Sequence, residues 1–161
     1  MSERASCPVI RLILIDTGYQ ETEEVVIESV TELGFDVRDI RYILHSHGHG
    51  DHTDGTPRMV EVSGAETFLA QADVKYLNGW VPDHYYNDGQ IISLGNTQIL
   101  CLATPGHTEG TYSFFFYVEV DGKTYRAGMF GGFSNVPEPT DVIEPVRSFF
   151  LAEPYPTTTT P

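Results

Sequence analysis

Four side chains able to bind a metal ion fall within six positions of this 161-residue chain: His47, His49, Asp51 and His52. Residues two apart on a helix point to opposite sides, so His47 and His49 cannot meet one ion from an ordinary helix. From a loop they can, because Gly48 and Gly50 accept backbone angles that other residues avoid. Asp51 and His52, one step further on, can reach a second ion beside the first. Imidazole nitrogens with one carboxylate suit zinc or another borderline divalent ion better than calcium or magnesium. The competing reading is a histidine-rich surface loop with no ligand; such tracts usually lack a strand before them and a helix after them. A second cluster, Thr104-Pro105-Gly106-His107-Thr108-Glu109-Gly110, sets His107 on a turn shaped by proline and glycine. Together with the first loop, His107 supplies the third nitrogen of a tetrahedral zinc whose fourth position is water.

The elements that must hold these loops follow from apolar spacing. Residues 9–15 are a nearly continuous apolar run ending at Asp16-Thr17-Gly18, the pattern of a buried strand and a turn. Residues 22–33 read as a helix with Val25, Val26, Val30 and Leu33 on one face, Glu23 and Glu24 at the positive end, and Gly34 just past the other end. Residues 40–44 form a strand that delivers the chain into the histidine loop. Thr56 reads as an N-cap followed by Pro57 at the first helical position, with the helix ending near Gly64. A strand over 66–70, a short helix over 72–77 and a polar-aromatic loop over 80–89 come next. Two hairpins close the domain, 90–94 with 97–103 around Gly95-Asn96, and 111–120 with 123–127 around Asp121-Gly122. Strand and helix alternate early and hairpins follow, so the fold class is an α/β sandwich.

The boundaries are a domain over 1–135 and a Pro/Thr-rich tail over 136–161, where six of the ten prolines lie. Within the tail, a helical turn or two fits residues 145–152. The net charge of −14 repels phosphate backbones and argues against a nucleic-acid partner. No apolar run is long enough to span a membrane. Cys7 and Cys101 give no disulfide framework, and Cys101, inside an apolar run, reads as a small buried hydrophobe. Arg11 interrupts the only apolar segment near the amino terminus, so the reading is cytoplasmic.

Asp16-Thr17-Gly18, the His-x-His-x-Asp-His loop at 47–52 and Pro105-Gly106-His107, in this order, resemble the metallo-β-lactamase superfamily. The resemblance spans residues 12–132 and is nearer to class B3 β-lactamases and glyoxalase II than to RNA-processing members. It implies a four-layer αβ/βα sandwich with metal at one edge of the paired sheets. It further implies His47, His49 and His107 as ligands of a first zinc, Asp51 and His52 as ligands of a second, and Asp16 as a support behind them. The activity implied is hydrolysis of an amide or lactam, lactone or thioester carbonyl in a small molecule by metal-activated water, with Asp51 orienting the water and passing on a proton.

The resemblance also shows what this chain lacks. Met129 stands near where one group places a bridging aspartate, and no histidine follows His107. His84 is weighed as a substitute ligand, and with Trp80 and Tyr85 as lining for a substrate pocket. His45, two residues before the loop, reads as buried and hydrogen-bonded. Asp141 and Glu144 reach the site only if the tail folds back. Both ends read as shortened relative to the family, which predicts an incomplete sandwich completed by a homodimer or a domain swap. The alternative function is a truncated metal-binding remnant with one complete zinc site and little or no catalysis.

Overall fold

The computed structural model describes residues 10–132, with residues 144, 146–149 and 151 beyond them. Four short strands, β1 (Leu12–Ile15), β2 (Ile40–Leu44), β3 (Glu66–Leu69) and β4 (His84–Tyr85), pair in that order and all in parallel. Neighbouring residues on a strand face opposite sides, and both sides of this sheet are covered. Leu12, Leu14, Ile40 and Ile43 meet Met59, Ala65, Val26, Ile27 and Val30 on the helical side. Ile13, Ile15, Leu44 and Phe68 meet the second sheet. The continuous apolar run of β1, and that of β2 apart from the exposed Arg41, are what a doubly covered parallel sheet requires.

Helices α1 (Glu23–Glu32) and α3 (Thr56–Ser63) form the helical side. On α1 the inward stripe is Val26, Ile27 and Val30, while Val25 is 61% and Leu33 is 74% exposed. The expected face was therefore rotated: Ile27, adjacent to Val26 on the helix, takes the place assigned to Val25. Thr56 is not the cap of α3 but its first residue, with Gly55 at the N-cap. Its buried hydroxyl is engaged by Thr17 Oγ1 at 3.0 Å and His45 Nε2 at 2.7 Å, which leaves nothing to cap with.

The second sheet is an antiparallel meander of β5 (Gln90–Leu94), β6 (Thr97–Ala103), β7 (Tyr112–Val120) and β8 (Lys123–Met129). Both hairpin turns fall where expected. Asp121 and Gly122 take φ of 51° and 71°, the double positive angle that a two-residue turn needs to match strand twist. The helix expected over 72–77 is a 3-10 helix over Gln71–Tyr76, with Leu77 extended beyond its end, and the loop over 80–89 contains β4.

Between the sheets, Leu44, Phe68, Tyr86, Ile92, Ile99 and Phe114 form the main core. Phe115 points the other way and is covered by Phe149 at a ring distance of 5.0 Å. Helical residues among 144–151 thus supply a fourth layer outside the second sheet. The rest of the tail lies outside the described residues. Helices, sheet, sheet and helix give the αβ/βα order.

Candidate metal centre

The carboxyl ends of the parallel strands converge on one edge of the molecule. Asp16 follows β1, residues 45–52 follow β2, and the 3-10 helix of residues 71–76 follows β3. The loop between β6 and β7 crosses to the same edge and carries His107. A backbone bond ties the two sheets there, with Tyr112 N–H donating to Ser46 C=O at 2.8 Å.

His47, His49 and His107 come together at this edge. Their ring centroids are 4.9, 4.6 and 4.9 Å apart and their planes stand at 85°, 89° and 87° to one another. One nitrogen from each lies within 4.8 Å of the others. His49 Nδ1 and His107 Nε2 face each other at 3.1 Å. His47 is buried; Ser46 Oγ sits 3.1 Å from its Nδ1, whereas its Nε2 is buried with no hydrogen-bond partner. A buried nitrogen of this kind costs on the order of 1–3 kcal/mol unless something occupies its lone pair or takes its proton. Burial, followed by the neighbouring histidines, lowers the His47 pKa to about 4, so the ring is a neutral electron-pair donor at ordinary pH. Three orthogonal imidazoles around one point, one of them orphaned, fit a tetrahedral divalent ion.

Asp51 and His52 lie on the short helix α2 (Gly50–Thr53), and with His47 they form a second cluster within 4.8 Å. Asp51 is exposed and its Oδ2 is 3.4 Å from His52 Nε2. The other ring nitrogen of His52 bonds Asp16 Oδ2 at 2.8 Å, a contact that raises the His52 pKa. Asp16 also accepts from Ser46 N–H and Ser46 Oγ–H, both at 2.7 Å. Its φ of 58° is unusual for a residue with a Cβ and is held by its own N–H donating to Leu44 C=O at 2.9 Å.

Other residues singled out from sequence sit elsewhere. Met129 pairs with Phe114 and packs against the inter-sheet core, so it adds nothing to the cluster. His45 is fully buried between Phe68 C=O (2.9 Å) and the Thr56 hydroxyl (2.7 Å), as expected. Trp80 packs on His45 at 5.1 Å. His84, on β4, pairs with Glu66 at 2.6 Å, and Tyr85 beside it is exposed. Neither His84 nor any further His, Cys, Asp or Glu joins the two clusters among the described residues. Glu144 is ion-paired with Arg147 at 3.2 Å, and Asp141 lies outside the described residues.

Two neighbours of the cluster had no place in the sequence reading. Tyr76 stacks its ring edge against His49 at 5.0 Å. Asp73, fully buried, bonds both histidine loops. An aspartate flanked by Ala72 and Val74 just past a strand was the available signal, and nothing local says what it binds.

Similarity to known proteins follows the same lines. A probable metallo-hydrolase, YybB, of Bacillus subtilis (strain 168) is 26% identical over 150 residues, covering 84% of this chain and 62% of that protein. A hydroxyacylglutathione hydrolase of Jannaschia sp. (strain CCS1) is 38% identical over 74 residues, 46% of this chain and 28% of its own length. BJP-1, a subclass B3 metallo-beta-lactamase of Bradyrhizobium japonicum, superposes with a TM-score of 0.72 at 27% identity, over 76% of this chain and 53% of that one. The native FEZ-1 metallo-beta-lactamase of Legionella gormanii gives 0.72 at 26%, over 76% and 54%. The chain spans about half the length of the curated and solved relatives it matches. A family model described as the metallo-beta-lactamase superfamily matches residues 9–160. A match that runs through both sheets and both histidine loops means that this chain belongs to the metallo-β-lactamase superfamily.

Proposed function

We propose that this chain is a zinc-dependent hydrolase of β-lactamase-like type, acting on an amide or lactam, lactone or thioester carbonyl of a small molecule. The observation that carries the reading is the orphaned His47 Nε2 among three orthogonal imidazoles. His47, His49 and His107 would hold one zinc, and Asp51 and His52 would contribute to a second. When bound, such an ion supplies Lewis-acid activation of water and polarisation of a carbonyl. Asp51, exposed beside the cluster, accepts a hydrogen bond from the attacking water and holds its proton at a carboxylate oxygen for the leaving group. Asp16 fixes the ring of His52 so that Nε2, rather than Nδ1, faces the site. Relatives named hydroxyacylglutathione hydrolase and solved class B3 β-lactamases make thioesters and β-lactams the first substrates to try.

Metal analysis of the purified chain with a hydrolysis screen tests the reading. We expect at least one zinc per chain, turnover abolished by a chelator, and neither zinc nor turnover after His49→Ala. Unchanged turnover in that variant would sink the zinc mechanism. A second reading has its own observation: besides His47, nothing among the described residues completes the Asp51–His52 pair. A one-zinc remnant with little or no catalysis follows, and it predicts one zinc with no turnover on β-lactam, lactone or thioester substrates. The outer edges of β1 and β8 have no partner strand among the described residues, which supports a homodimer or domain swap. Sedimentation should then give twice the 17.9 kDa chain mass, and a monomer at every concentration removes that proposal.

A further inference from the structure

We infer that Asp73 is a positioning residue for the three-histidine cluster, clamping the two histidine loops to each other. The inference rests on the metal reading above and adds to it a residue outside the histidine motifs. Asp73 sits on the 3-10 helix of residues 71–76 and is 0% exposed. Its Oδ2 accepts from Gly48 N–H at 2.8 Å and from the Thr108 hydroxyl at 2.6 Å. Its Oδ1 accepts from Gly110 N–H at 2.9 Å. Gly48 lies between His47 and His49, and Thr108 directly follows His107, so one carboxylate joins the backbones that carry all three rings.

Close packing leaves little slack in this arrangement. A Cβ on Gly48 would come within 2.6 Å of the Asp73 carbonyl oxygen, and one on Gly110 within 2.6 Å of Asp73 Cγ. Glycine at both positions is what lets the two loops close on the carboxylate. The 3.1 Å approach of His49 to His107 joins residues 58 apart in the chain. Besides the Tyr112–Ser46 backbone bond, Asp73 is a buried carboxylate that bridges that span. Without it, the Gly48 and Gly110 N–H groups lose their acceptor in a buried place, and the loops separate to find others. Three ligands arriving from two loops hold a metal tightly only if their spacing is fixed beforehand.

Asp73→Asn and Thr108→Val in the full chain test this. Asparagine keeps the volume but turns a donor towards a backbone N–H; valine deletes one hydroxyl. Zinc affinity is read by competition with a chromophoric chelator, ligand geometry by the visible spectrum of the cobalt(II)-substituted protein, and folding by thermal melting of the metal-free chain. We expect Asp73→Asn to weaken zinc binding by about 10- to 100-fold and to alter the cobalt spectrum, as loss of a group orienting metal ligands does. Thr108→Val should do the same to a smaller degree. If Asp73→Asn does not fold, Thr108→Val decides alone. A lower melting temperature with undiminished affinity and an unchanged cobalt spectrum overturns the inference and leaves Asp73 a stabilising residue only. No zinc uptake by the unaltered chain would overturn the metal reading instead.

Discussion

His47 shows how one residue meets two demands. Burial makes it a poor place for a proton, and the same burial leaves its Nε2 directed at the cluster without a partner. The pH dependence of the metal-free protein follows. Burial depresses the pKa of His45 and takes that of His47 to about 4, below the ordinary 6.5. Unfolded chains take up these protons near pH 6.5, so the stability contributed is complete above that pH and is lost as pH falls towards 4. His52 works in the opposite sense: raised by Asp16, it contributes below pH 6.5 and that contribution fades as pH rises through its folded value. Two depressed groups against one raised give a net loss on acidification. Melting temperatures of chelator-treated protein between about pH 7 and pH 4.5 should fall, and a flat profile would contradict the assignment.

At the scale of elements, strand ends and turns aim the side chains. β2 delivers the first histidine loop, and the β6–β7 connection delivers His107 across the sheet gap. The Asp121–Gly122 turn is remote from both and sets only the register of β7 with β8. Gly122→Ala, at a φ of 71°, should cost about 1–2 kcal/mol in a denaturant midpoint while leaving zinc affinity unchanged. This turn was legible because its chemistry is contained in two residues. β4 was not legible: His84 and Tyr85 are a strand only because β3 offers them a parallel edge. The face of α1 was half legible, since its period is local but the choice of Ile27 over Val25 is made by the sheet beneath it.

Across the whole molecule, two four-stranded sheets pack face to face with helical residues outside each. The outermost layer over the second sheet rests on Phe149, packed on Phe115 and Tyr117 at 5.0 and 5.7 Å. Phe149→Ala should therefore cost about 3 kcal/mol or more in chemical denaturation, as for other large core truncations. A loss near zero would show that the fourth layer is not coupled to the rest. The sequence alone determined the histidine loop, the order of the three motifs, the two hairpins and hence the α/β sandwich and the family. Each of these is written in spacings of a few residues, where covalent geometry does the work. Tertiary structure decided which groups brace that loop. Asp73 reaches residues 25, 35 and 37 positions away, and Asp16 reaches His52 across 36. Such contacts exist only after the strands have set their register, because local spacing carries no information about which buried carboxylate will face which loop.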